Sequence, residues 1–183
     1  MQLWKNKKEK DVIDKITQRF GNDYSMDFRI GEISIYINSK LSRLKLNIDY
    51  FQVNGTNSLV VYTGDDDACY MKYHEDKTDY LDMINDILNN LSNQLNIYKD
   101  FIIGFTQHLS DNGYEYLMDM VGAKLYINLH NNKVVIEPKL NMSNTENYAT
   151  MHVNSIYGKY PLEKYTSISF DDLQDDINFF ISW

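Results

Sequence analysis

Val12, Ile13, Ile16 and Phe20 recur three to four residues apart. This is the spacing of one helix face, and it predicts a first helix over 8–20 that Gly21-Asn22 ends. The period then drops to two. Ile33, Ile35 and Ile37 alternate with polar neighbours in "DFRIGEISIYIN", which predicts a strand. "RLKLNIDYFQV" sets Leu44, Leu46 and Ile48 against Arg43, Lys45 and Asn47, and Asn54-Gly55 marks a hairpin turn after it. "SLVVYT" predicts a third strand, Gly64 to Asp67 a tight turn, and "ACYMKY" a fourth strand.

Helical spacing returns and persists. Tyr80, Ile84, Ile87, Leu91, Leu95, Tyr98, Ile102, Phe105 and Leu109 step by three or four, which predicts a helix over 78–109, about 45 Å long. Asn89, Asn90, Asn93 and Asn96 are poor helix formers, so a bend or break near "LSNQLN" is the competing expectation. Beyond "SDNG", the stretch "YEYLMDMVGAKLYIN" reads as one strand, Asn131-Asn132 as a turn and "KVVIEPKL" as the strand returning from it. "YATMHVN" reads as a further strand, "SIYGKYPLEKY" as irregular and "TSI" as a short strand, while Phe170, Leu173, Ile177 and Phe180 predict a last helix.

The elements therefore run helix, four strands, helix, and then the same again. "SIYIN" at 34–38 and "KLYIN" at 124–128 each follow a glycine, Gly31 or Gly122. Tyr24 faces Tyr114, Asn57 faces Asn147, and Asp82 and Asp86 face Asp172 and Asp176, all at a shift of 90 residues. The expected fold is α+β: a tandem duplication of a helix–four-stranded antiparallel sheet–helix unit, with repeats 1–93 and 94–183 related by a pseudo-two-fold axis. In topology alone, this order resembles the TATA-binding-protein fold and the class I secretion chaperones. The sequence motifs of neither are present. The first family needs a basic underside with phenylalanine wedges, and this chain is acidic.

Charge sharpens the functional reading. The net charge is −8 over 183 residues, and it is uneven. Residues 1–45 carry ten Lys/Arg and six Asp/Glu, hence +4; residues 46–183 carry eight and twenty, hence −12. An acidic body disfavours non-specific nucleic-acid binding and suits a basic partner. Cys69 is the single cysteine, so no internal disulfide and no cysteine-based zinc site forms, and a reducing, cytoplasmic setting is expected. No apolar run is long enough to span a bilayer, and no apolar stretch follows the early lysines as a secretory signal would require.

Two charged constellations stand out. Asp65, Asp66 and Asp67 are three successive carboxylates that must be solvated or meet a cation or a basic partner, and Glu75 and Asp76 lie close by in sequence. Their spacing is not that of a calcium loop. Lys5, Lys7, Lys8 and Lys10 crowd the start of the first helix, where cations oppose the helix dipole. With Lys40, Arg43 and Lys45 they form a candidate nucleic-acid patch. Glu137-x-Lys139 with Asp119 upstream imitates the acid and E-x-K set of Mg²⁺-dependent restriction-endonuclease-like nucleases. Asp171, Asp172, Asp175 and Asp176 suit the first turns of the last helix better than a metal site. The four histidines show no ligand spacing, and no nucleophile motif or glycine-rich phosphate loop occurs.

The expectation is a non-enzymatic acidic binding protein without cofactor or metal. An inhibitor, immunity or anti-defence protein of a bacterium or phage fits it, one that occludes a basic or nucleic-acid-binding surface of a partner protein. The alternatives are a nucleic-acid-binding module using the basic N-terminal end, a Mg²⁺-dependent nuclease, and a cytosolic chaperone for an exported client.

Overall fold

The structure, a computed structural model, describes residues 7–38, 43–63, 68–74, 77–119, 124–129, 132–140, 142, 149–155 and 158–165. These residues form two helices and ten strands, and the class is α+β with antiparallel sheets. Helix α1 spans Lys7–Phe20 and buries Val12, Ile13, Ile16 and Phe20. Strands β1 (Ser25–Arg29), β2 (Glu32–Asn38), β3 (Arg43–Val53), β4 (Thr56–Tyr62) and β5 (Ala68–Lys72) follow and pair in chain order. Helix α2 then runs unbroken over Asp79–Asp111, straight through "LSNQLN". A second sheet contains β6 (Glu115–Asp119), β7 (Lys124–Leu129), β8 (Asn132–Lys139), β9 (Ala149–Ser155) and β10 (Gly158–Tyr165), again neighbour to neighbour.

The expected four strands per unit become five, for a local reason. "DFRIGEISIYIN" is not one strand, because Gly31 takes a left-handed φ of 78° and folds β2 back on β1, with Arg29 opposite Glu32. The stretch "YEYLMDMVGAKLYIN" divides likewise into β6 and β7, with Asp119 opposite Lys124. The alternation changes phase at each turn, from Met26 and Phe28 to Ile33 and Ile35 and from Met118 to Leu125, a slip that a bulge in one continuous strand would also produce. "SIYGKYPLEKY", expected to be irregular, pairs with β9 as β10. Asn132 is the first residue of β8, already paired with Leu129, and so is not a turn residue. The expected last helix and the "TSI" strand lie outside the described residues.

The Asn54-Gly55 turn forms as its chemistry demands. Asn54 (φ 50°) and Gly55 (φ 79°) are both left-handed, the requirement of the two-residue turn whose twist matches the flanking strands, and Val53 pairs with Thr56 across it.

The chain divides into two compact units. The first gathers α1, β1–β5 and α2 as far as Asn90; the second takes α2 from Leu91 and the sheet β6–β10. In the first unit Ile33, Ile35, Leu46, Ile48, Leu59 and Val61 are buried, each separated by one residue from the next in its strand. Tyr50, Tyr73 and Tyr80 continue this core as edge-to-face pairs, with centroids 6.4 and 5.0 Å apart. In the second unit Tyr98, Ile102, Phe105 and Leu109 of α2 pack on Leu125, Ile127, Val134 and Ile136. The Tyr98 hydroxyl donates to the Ile136 carbonyl at 3.3 Å.

Candidate functional site: the outer face of the first sheet

A strand turns successive side chains to opposite faces. With Ile33, Ile35, Leu46, Ile48, Leu59 and Val61 committed to the core, their alternates face away from it. These alternates are Asp27 and Arg29 on β1, Glu32, Ser34 and Tyr36 on β2, and Lys45, Asn47, Asp49 and Phe51 on β3. Ser58, Val60 and Tyr62 on β4, and Ala68, Tyr70 and Lys72 on β5, complete the face.

The face is a lattice of carboxylates tied to hydroxyls. The Tyr36 hydroxyl donates to Asp27 Oδ2 at 2.7 Å. Tyr62 lies across the carboxylate of Asp49, its hydroxyl 3.5 Å from both oxygens. Glu32 accepts from Lys45 at 3.2 Å and from the Ser34 hydroxyl at 3.3 Å, and Ser34 also reaches Asn47 Oδ1 at 3.0 Å. Ser58 and the Tyr70 hydroxyl are 2.9 Å apart, and the Tyr70 ring leans on Phe51 at 6.2 Å. Tyr70 itself stays 52% exposed. The short bonds of Tyr36 and Tyr70 restrain those two rings, so a ligand meeting them finds less rotamer freedom left to quench.

The candidate residues from the sequence are placed unequally. Asp65, Asp66, Asp67, Glu75 and Asp76 lie outside the described residues, as do Lys5 and Lys40; the three aspartates connect β4 to β5 in sequence. Lys7, Lys8 and Lys10 are exposed on the first turns of α1, around the buried Glu9. Arg43 opens β3. Lys45 is held by Glu32 rather than standing as a lone cation.

The nuclease-like set is arranged differently from its model. Strand β7 separates Asp119 on β6 from Glu137 on β8, and Lys124 pairs with Glu137 at 2.7 Å. The hydrogen bond to Glu137, reinforced by the charge of Asp119, raises the Lys124 ammonium above the usual lysine range. Lys124 thus occupies the Glu137 carboxylate. Among the described residues no group of three or more His, Cys, Asp and Glu is placed to hold a metal ion. No helix among them is long and apolar enough to cross a membrane.

Sequence reading missed the tyrosines of this face. Their signal is present in hindsight: Tyr36, Tyr62 and Tyr70 fall on the polar phase of otherwise alternating strands, where a large aromatic has no core to fill.

Comparison with family models, with curated proteins and with solved structures finds no match.

Proposed function

We propose that this chain is a non-enzymatic acidic binding protein, which docks a partner on the outer face of its first sheet. The observation that carries the reading is the row of half-buried or exposed tyrosines, Tyr36, Tyr62 and Tyr70, set among Asp27, Glu32 and Asp49. Rigid tyrosines supply contact area at low entropic cost, and aromatic residues are enriched where proteins meet. The acidic stretches Asp65–Asp67 and Glu75-Asp76, which flank β5 in sequence, would meet a basic surface. An inhibitor, immunity or anti-defence protein of a bacterium or phage, acting in the cytoplasm on a basic or nucleic-acid-binding partner, fits this chemistry.

Affinity capture from the native host's lysate, followed by mass spectrometry, tests it. Wild-type protein should retain a basic partner that Tyr70→Ala and the Asp65, Asp66 and Asp67→Asn variant retain poorly. Capture of the same proteins in equal amounts by all three would remove the face and the acids from the mechanism.

We further propose that the two units descend from one duplicated ancestor. Both sheets are five-stranded meanders, and Tyr36 and Tyr126 occupy the same phase of β2 and β7, half-buried between buried aliphatic residues, Ile35 and Ile37 in one case and Leu125 and Ile127 in the other. A relative whose two halves align along their full length would support the proposal. A relative in which the halves share no more residues than shuffled sequences would oppose it.

A further inference from the structure

Among the described residues the two open sheets have four edges, and an open edge presents unpaired N–H and C=O groups that another strand can take. The four differ in what happens when each meets its own copy. Full antiparallel self-pairing of β1 sets Asp27 against Asp27 of the second copy, because Asp27 is the middle of five residues. Self-pairing of β6 sets Glu115 against Asp119 twice. Like charges directly opposite are destabilising. Strand β10 contains Pro161, which has no N–H, and its register on β9 shifts between Leu162 and Tyr165.

Strand β5 carries none of these devices. Centred on Tyr70, self-pairing sets Ala68 against Lys72, Cys69 against Met71, and Tyr70 against Tyr70. The backbone phase is also right. The Tyr73 N–H donates to the Asn57 carbonyl, one step beyond the Ser58–Lys72 pair. Antiparallel ladders alternate, so Cys69 and Met71 turn their backbone groups toward β4, while Ala68, Tyr70 and Lys72 turn theirs to the open edge. All three of these residues are exposed.

We propose that β5 is a homodimer edge: two copies of the chain join β5 to β5 antiparallel about Tyr70, making one continuous ten-stranded sheet. The Tyr70 pair exchanges both backbone hydrogen bonds across the two-fold axis, and each Ala68–Lys72 pair does the same. This inference needs no partner protein and stands apart from the binding reading above.

The test has two arms. Light scattering on the purified full chain should give twice the 21.6 kDa of one chain as concentration rises. Tyr70→Pro removes an outward N–H and no backbone bond to β4, so it should keep the circular dichroism of the wild type, with a melting temperature lowered by the lost Ser58 and Phe51 contacts, while staying monomeric. In a Cys69→Ala background, Tyr70→Cys should oxidise to a covalent dimer, since directly opposed, hydrogen-bonded residues lie about 5.5 Å apart, within disulfide reach. Leu117→Cys, on the exposed edge β6, is the control that should stay monomeric. A monomer at every concentration would overturn the proposal. So would a dimer that Tyr70→Pro leaves intact, or equal cross-linking through Leu117→Cys.

Discussion

Tyr80 is buried on α2, yet among the described residues its hydroxyl has no hydrogen-bond partner. Burial, then the nearby Tyr73 and Asp11, push its ionisation well above the ordinary tyrosine range. A buried unsatisfied hydroxyl costs about 1–3 kcal/mol, so Tyr80→Phe should stabilise the protein by about 1 kcal/mol in urea unfolding. Tyr50→Phe should do the reverse by a similar amount, because the Tyr50 hydroxyl donates to Asn57 Oδ1 at 2.9 Å in a buried site. A raised folded pKa means that the folded state holds its proton more tightly. The stability this contributes is complete below the unfolded value of about 10 and is lost as the pH rises past it. Urea midpoints measured on either side of about pH 10 should therefore fall less for Tyr80→Phe than for wild type. The Lys124–Glu137 pair is a contrast. Lys124 is 38% exposed, so screening leaves it little to give, and Glu137→Gln should cost only about 0.5 kcal/mol.

At the scale of elements, the long period-3.6 run of α2 was legible because it stays amphipathic across the asparagines, whose polar side chains fall largely on the outer side. Asn89, Asn93 and Asn96 are exposed, whereas Leu88, Leu91 and Leu95 are buried. Packing of the apolar stripe outweighs their weak helix propensity. Strands separated by asparagine-glycine were equally legible, because that dipeptide states its turn chemistry. The β1–β2 and β6–β7 turns were not. A single glycine between alternating residues reads as well as a bulge or a continued strand, and only the backbone φ of Gly31 decides. Gly55 gives the cleanest measurement of such a constraint. A methyl group there would meet nothing within 4 Å, so Gly55→Ala tests the left-handed backbone alone. A loss of about 1–2 kcal/mol is expected; no loss would mean that the hairpin relaxes to another turn.

For the whole molecule, charge and alternation told much of the surface but little of the site. The outer face of the first sheet is written in residues ordinary for a strand, and tyrosine in a strand most often packs a core. Its arrangement emerges only when register brings Tyr36 to Asp27 and Tyr62 to Asp49. The second sheet has no such lattice among its described residues. There Lys133 lies 4.5 Å over the Tyr126 ring and Leu117 stands 64% exposed. The central claim is docking on the tyrosine-bearing face with electrostatic capture by the acidic stretches that flank β5 in sequence, and its most direct measurement is the association rate with the captured partner as a function of salt. The account predicts a rate that falls steeply with ionic strength, and a shallower slope for the Asp65, Asp66 and Asp67→Asn variant. A rate indifferent both to salt and to those substitutions would contradict it.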